Sequence, residues 1–298
     1  MPRVSVVLRT KDRPWFLARA LRDIGAQTFR DFEVVVVDDG TDSAMTARVV
    51  DEAGLAAVRV VEPERPGRCA AANAGVAAAG GDLLVLHDDD DLWEREFLAR
   101  CVAWLDAHPE DIGVMTRTTI RYEAWQDGAW RQVGTAPFWA DMQRISLTEM
   151  LQVNRAVPIS FLYRRAAHDA VGGYDETLDA VEDWEFTLRL LVHHTIGFIP
   201  EPLAIWAQRP SAGAADANSM FALETEHRRD DAVVRDRALQ EWIERNGVGL
   251  PLMIAGEFAE LRRELFARLT VELDRRHPFS ALARRVVLAA RRRRGTGR

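Results

Sequence analysis

Short β-branched runs alternate with segments of helical spacing through the first hundred residues. Val4 to Leu8, Phe32 to Val37, Val58 to Val61 and Leu83 to Leu86 read as strands, with helices over Trp15 to Ala26, Ser43 to Ala53 and Cys69 to Ala79 between them. Strand and helix periods in alternation predict βαβ units and a parallel sheet. The run Val34-Val35-Val36-Val37 is apolar on both faces, as a strand covered by helices on each side must be. The expectation is an α/β fold of three layers.

Further along the pattern becomes mixed. Arg95 to His108 reads as a helix closed by Pro109; Gly113 to Tyr122 and Trp130 to Val133 read as strands around Gln126-Asp127-Gly128. Ser146 to Gln152 predicts a short helix, Ile159 to Tyr163 a strand, Val181 to His193 an amphipathic helix, and Ile196 to Ile199 and Leu203 to Trp206 two strands. The stretch 211–219 is small, polar and aperiodic, which predicts a mobile loop or a domain edge. Everything after Met220 reads as helical. The expected organisation is an α/β domain over 1–210 and a C-terminal helical region over 211–298.

In open α/β sheets, ligands bind beyond the carboxyl ends of the strands. Those ends are strongly polar here: Arg9-Thr10-Lys11-Asp12, Asp38-Asp39-Gly40-Thr41-Asp42 and His87-Asp88-Asp89-Asp90-Asp91. Four consecutive aspartates repel one another unless a cation compensates them. In an extended chain Asp88 and Asp90 share one side and Asp89 and Asp91 the other. Carboxylate oxygens suit Mg²⁺ or Mn²⁺, whose remaining positions substrate phosphates can fill. A solvated acidic turn before a helix is the plainer alternative.

Composition narrows the classes. A net charge of -7 argues against a nucleic-acid binder. The charge is uneven, since Leu261 to Arg298 carries twelve arginines against Glu264, Glu272 and Asp274. Residues 278–298 read as a basic amphipathic tail, suited to an anionic membrane face or to pairing with the acidic body. Two cysteines, Cys69 and Cys101, give no disulfide framework. With no secretion pattern at the start and no spanning stretch, the expected location is the cytoplasm, at the inner face of the membrane where the tail engages it.

Taken in order, these segments resemble family 2 glycosyltransferases of the GT-A (Rossmann-like) fold over about residues 3–210. Arg9 to Arg13 is similar to the family's Pro-Thr-Tyr-Asn-Arg opening, with Arg9 in the Pro place and Lys11 in the Tyr place. Val34 to Thr41 resembles its second strand and Asp-Asp-Gly-Ser end, Gly67 to Gly75 its Gly-x-x-x-Ala-x-Asn-x-Gly helix, and Gly81 to Trp93 its Gly-Asp-strand-Asp-x-Asp-Asp segment. Gly172-Gly173-Tyr174-Asp175-Glu176 and Glu182-Asp183 resemble its later turn and acidic helix start. The resemblance implies a mostly parallel mixed sheet, a nucleotide-sugar donor, and a glycan or lipid-linked acceptor.

It further implies the base against Thr10 and Asp39, the ribose and diphosphate near Arg68, Asp88 and Asp89, and a metal on Asp90 with Asp88. The register within the four aspartates stays open. Asp183 is the implied catalytic base, Glu182 orients the site or contacts the acceptor, and Arg209 neutralises the leaving diphosphate. One base and one leaving group imply inversion, in cell-surface polysaccharide or glycolipid synthesis. The C-terminal helices offer a surface for a homodimer. A nucleotidyltransferase, or a catalytically silent sugar-binding module on the same fold, are the competing readings.

Overall fold

The computed structural model describes residues 1–213 and 216–276. The basic tail 278–298 lies outside them. The chain divides into one compact unit, residues 1–234, and a second, residues 235–298.

The first unit is built on strands β1 (Val4–Thr10), β2 (Phe32–Asp38), β3 (Val58–Val61) and β4 (Leu83–Asp88), joined by helices α1 (Pro14–Gly25), α2 (Ser43–Ala53) and α3 (Arg68–Ala78). These four strands run parallel in the order β3-β2-β1-β4. Side chains of alternate parity enter two cores. Val4, Val6, Leu8, Val34 and Val36 pack with Leu17, Leu21 and Ile24 of α1. Val7, Val35 and Val37 pack with Ala71, Ala72 and Val76 of α3 on the other face. Gly75 permits this approach, because a Cβ there would lie 2.2 Å from Val7 Cγ1.

Beyond β4 come β5 (Leu92–Trp93), α4 (Phe97–Ala107), the long hairpin β6 (Asp111–Gln126) and β7 (Ala129–Phe138), α5 (Leu147–Gln152), β8 (Phe161–Arg164), α6 (Ala166–Val171), α7 (Glu182–Leu191) and β9 (Thr195–Gln208). The sheet continues β4-β8-β6-β9-β5, with β7 on β6. The β8 pairs and the β5–β9 and β6–β7 pairs are antiparallel, whereas β6 and β9 run parallel. Mixed three-layer architecture therefore agrees with the pattern.

Several boundaries differ. The two strands expected at Ile196 and Leu203 are one, β9: Pro200 and Pro202 interrupt the hydrophobic pattern, and register shifts near Arg117 absorb them. Ile159 and Ser160 form part of a 3₁₀ turn before β8, and β5 and α6 were too short to announce themselves. The compact unit also reaches Val234, not 210. Helices α8 (Ser219–Ala222), α9 (Glu224–Asn246) and α10 (Gly249–Arg276) follow, in line with the expected C-terminal helices. Among the described residues no helix is long and apolar enough to cross a membrane.

Candidate active site

Parallel register brings the ends of β1, β2 and β4 level, with Thr10 beside Asp38 and Arg9 beside Asp88. Above these tips opens a cavity of about 550 Å³ walled by Arg9, Thr10, Lys11, Arg13, Asp39, Arg68, Asp88, Asp90, Asp91 and Asn218, among others. Its volume is that of a small-molecule site. A second cavity of about 410 Å³ is walled by Lys11, Asp39, Gly67, Arg68 and Glu176. Asp39 stands in both walls; its carboxylate accepts from Lys11 Nζ and from Gly67 N, each at 3.1 Å.

Each aspartate of the cluster has its own surroundings. Asp88 accepts from Arg9 Nε at 2.8 Å and faces Arg68 Nη2 at 3.6 Å. Burial works against its charge, yet the Arg9 and Arg68 guanidiniums outweigh that and hold its carboxyl below the usual carboxylate range. Asp89 is fully buried, taking Thr10 Oγ1 at 2.7 Å and the Arg13 guanidinium. Burial pushes its carboxyl up to about 7 against the pull of Arg13. Asp90 makes its contacts through Oδ2, with Arg209, with Asn218 Nδ2 at 3.1 Å and with Arg13. Asp91 accepts from Ala207 N at 3.0 Å, its carboxyl held well above its ordinary value by burial and by the charges of Asp90 and Asp88.

Asp89, which the resemblance sets near the ribose or diphosphate, is fully buried against Thr10 and Arg13 and is not part of the cavity wall. Strand β4 ends at Asp88 and the chain turns through Asp89 and Asp90, which leaves Asp88, Asp90 and Asp91 in the cavity wall. Asp88, with 24% of its side chain exposed, and Asp90 fit a Mg²⁺ or Mn²⁺ ion. Both are hard oxygen donors in the cavity wall.

A closed ring of charges joins this donor side to α7. Arg9 Nη1 donates to Glu182 Oε1 at 3.1 Å, Arg68 Nε stands 2.8 Å from the same oxygen, and both arginines reach Asp88. Glu182 is 1% exposed, and both arginines meet it at Oε1. Its neighbour Asp183 is partly exposed and accepts from Asn154 Nδ2 at 3.2 Å and from its own helix at Trp184 N. Burial pushes the Asp183 carboxyl up to about 6; Glu182 adds to the rise and Arg68 opposes it. Asp183 lines a small recess with Leu86 and Phe186, not the wall of the large cavity. Arg68 lines the large cavity, and its charge is felt at Asp183.

Helix α7 begins abruptly. Val181, just before it, has φ of 57°, a left-handed conformation that a β-branched residue seldom adopts. Asp230 of α9 fixes the approach, accepting from Asp179 N at 2.8 Å and Ala180 N at 2.9 Å.

Arg209, expected at the diphosphate, is wholly buried below the cavity. It pairs with Asp90 and with Glu123 at 3.3 Å, and its guanidinium lies 4.5 Å from the centre of the Phe16 ring. The aromatic packing and two carboxylates enclose it, with Asp90 as its contact toward the cavity wall. Glu123 was missed in the sequence. It is buried and also takes Arg19 at 2.7 Å and Arg121 at 3.1 Å. A bulge between Tyr122 and Glu123 turns it inward, and no hydrophobic pattern signals a bulge. Asn218 was hidden in the aperiodic loop; besides Asp90 it bonds Arg209 N at 2.6 Å and Ala207 O at 2.7 Å. Arg13 lay within the quoted opening motif without a role.

A mixed sheet whose acids and arginines gather at the tips of its parallel strands is the architecture of a GT-A glycosyltransferase. Residues 5–172 match the family described as Glycosyl transferase family 2, and the chain belongs to that family. It is similar to the uncharacterized glycosyltransferase YwdF of Bacillus subtilis, 26% identical over 69% of this chain and 74% of that protein. It is also similar to a PGL/p-HBAD biosynthesis glycosyltransferase of Mycobacterium bovis, 29% identical over 63% and 69% respectively.

Among solved structures, S. aureus TarS (residues 1–349) in complex with UDP-GlcNAc superposes with a TM-score of 0.54 at 21% identity, over 74% of this chain and 63% of that one. The mannosyltransferase PcManGT from Pyrobaculum calidifontis, in complex with GDP-Man and Mn²⁺, gives 0.52 at 24% identity over 68% and 56%. The chain thus spans less than two thirds of either solved chain. These likenesses bear on the fold.

Proposed function

We propose that this glycosyltransferase moves a sugar from a nucleotide-sugar donor to a hydroxyl of a glycan or lipid-linked acceptor, with inversion, using Mg²⁺ or Mn²⁺. The observation that carries the reading is the charge ring, which connects a cavity-lining carboxylate, Asp88, to a helix start bearing a carboxyl of raised pKa, Asp183. The donors bound by TarS and PcManGT support the donor class, and the Mn²⁺ of the latter supports the metal. The PGL/p-HBAD biosynthesis relatives support a biosynthetic glycosyl transfer, and the setting we infer is cell-surface polysaccharide or glycolipid synthesis at the inner face of the membrane.

Asp39 and Thr10 hold the nucleoside, and Arg68 the diphosphate. A Mg²⁺ or Mn²⁺ ion held by Asp88 and Asp90 would supply positive charge where the leaving diphosphate gains negative charge. Asp183 takes the proton of the acceptor hydroxyl as its oxygen bonds to the anomeric carbon. Asn154 keeps that carboxyl in place, Glu182 holds Arg9 and Arg68 beside it, and Arg209 with Glu123 keeps Asp90 in place. A single displacement, with no covalent sugar–enzyme stage, inverts the anomeric centre.

The test is transfer from a panel of nucleotide sugars with Mn²⁺ or Mg²⁺ by wild type and Asp183→Asn. Loss of transfer with nucleotide binding retained is expected. Transfer at an undiminished rate by Asp183→Asn would remove the base assignment.

A further inference from the structure

Two cavities meet at Asp39, and their walls differ. Lys11, Asp39, Arg68 and Leu223 stand in both, but Asp88 and Asp90 line only the larger one. The nucleotide-sugar reading above, on which this inference rests, puts the ion and the diphosphate with those two aspartates. The smaller cavity, about 410 Å³, then receives the base. Among the described residues its wall has no aromatic ring, and Lys11 occupies the place where the resemblance sets Tyr. Hydrogen bonds along the edge of the base therefore carry the recognition.

Much of the charge in this wall is already engaged. Glu176 takes Arg65 and, at 2.7 Å, Asn73 Nδ2; Asp179 takes Arg229 Nη2 at 2.7 Å. Arg68 is held by Glu182 and Asp88. Three groups retain capacity for a ligand. Glu226, half-buried in the first turn of α9, has no hydrogen bond or ion pair among the described residues. Asp39 carries one contact on each oxygen, and each oxygen can accept another. Lys11, with 59% of its side chain exposed, gives one of its three N–H donors to Asp39.

A bound base must satisfy two carboxylates and one ammonium. Guanine does so along one edge: its 2-amino group and N1–H donate side by side, and O6 accepts next to them. Uracil, adenine and cytosine each offer a single donor group beside an acceptor. One carboxylate would then face the base without a donor, and such unpaired groups are how polar sites reject a wrong ligand. We propose that the donor is a guanosine diphosphate sugar, with Glu226 and Asp39 accepting from the 2-amino and N1–H groups of the base and Lys11 Nζ donating to O6. Glu226 is thus a specificity-determining residue supplied by α9.

The test is calorimetric binding of GDP, inosine diphosphate, UDP and ADP to the full chain with Mn²⁺. GDP should bind tightest. Inosine diphosphate, which lacks only the 2-amino group, should bind about tenfold more weakly, and UDP and ADP more weakly still. Glu226→Ala should weaken GDP about tenfold and leave inosine diphosphate unchanged, a difference that a merely structural role would not produce. Lys11→Met should weaken both 6-oxo purines alike. Equal affinity for GDP and inosine diphosphate, tighter binding of UDP or ADP, or equal losses for both purines in a Glu226→Ala protein that is folded by circular dichroism overturns the proposal while the nucleotide-sugar reading stands. The comparison of nucleotides on wild type decides the matter even where a variant fails to fold. Binding of none of the four would remove the nucleotide-sugar reading itself, and this inference with it.

Discussion

Arg9 Nη1 donates to Glu182 Oε1 at 3.1 Å across 173 positions of sequence. The same guanidinium holds Asp88, so one buried side chain ties the first strand, the fourth strand tip and the start of α7. Arg68, which holds the same two acids, has 24% of its side chain exposed against 6% for Arg9, so Arg68 is the freer of the two to turn to a ligand. Arg9 is a positioning residue. Arg9→Met should lower kcat on the order of a hundredfold, the usual effect of a displacement of about 1 Å. Nucleotide Kd should change far less, and Arg9→Lys should recover part of kcat. Equal losses in kcat and nucleotide affinity would mean that Arg9 acts on the donor site alone.

Asp183→Asn should cost roughly 10²–10⁴ in kcat, the range for a positioned acid–base group. The working form of a base is the ionised one, and the carboxyl here titrates at about 6. The rate should therefore be level above that pH and fall about tenfold per unit below it. A pH–rate profile at saturating donor measures this limb; its persistence in a residually active Asp183→Asn protein would assign it to another group.

Chelation should abolish transfer without unfolding the protein. The aspartates are already compensated from within, Asp88 by Arg9 and Arg68, Asp89 by Arg13, Asp90 by Arg209. We expect activity to vanish in EDTA and return with Mn²⁺ or Mg²⁺, while Tm moves by a few degrees at most. A large fall in Tm would show that the ion is part of the fold.

Glu123 faces Arg19, Arg121 and Arg209 from a buried position. Glu123→Gln leaves those charges without their counterion, which should destabilise by roughly 3–5 kcal/mol. Denaturant unfolding monitored by tryptophan fluorescence checks this; a loss within about 1 kcal/mol would mean that Asp90 alone suffices for Arg209.

The sequence made the parallel half legible because its buried strands and amphipathic helices each obey one period, and because polar residues sit where those runs stop. The mixed half was less legible. Prolines inside β9 masked a continuous strand, and the bulge that buries Glu123 leaves no mark in composition. Four adjacent aspartates announced a charged site but not which carboxyls face outward. That division depends on the guanidiniums that reach each one, and Arg13 and Arg209 stand 76 and 119 positions away from their partners. Arg9 was visible as an oddity in its motif, yet its role needed the arrival of α7.

Val181 occupies a backbone conformation that costs a valine about 1–3 kcal/mol. Glycine there would remove that cost together with a side chain packed in the core, whose burial is worth about 1.5–3 kcal/mol. The same change would free the hinge ahead of Glu182 and Asp183 to sample other directions. Strain and packing thus offset each other at this one position, and Val181→Gly should be a slower enzyme with no gain in stability.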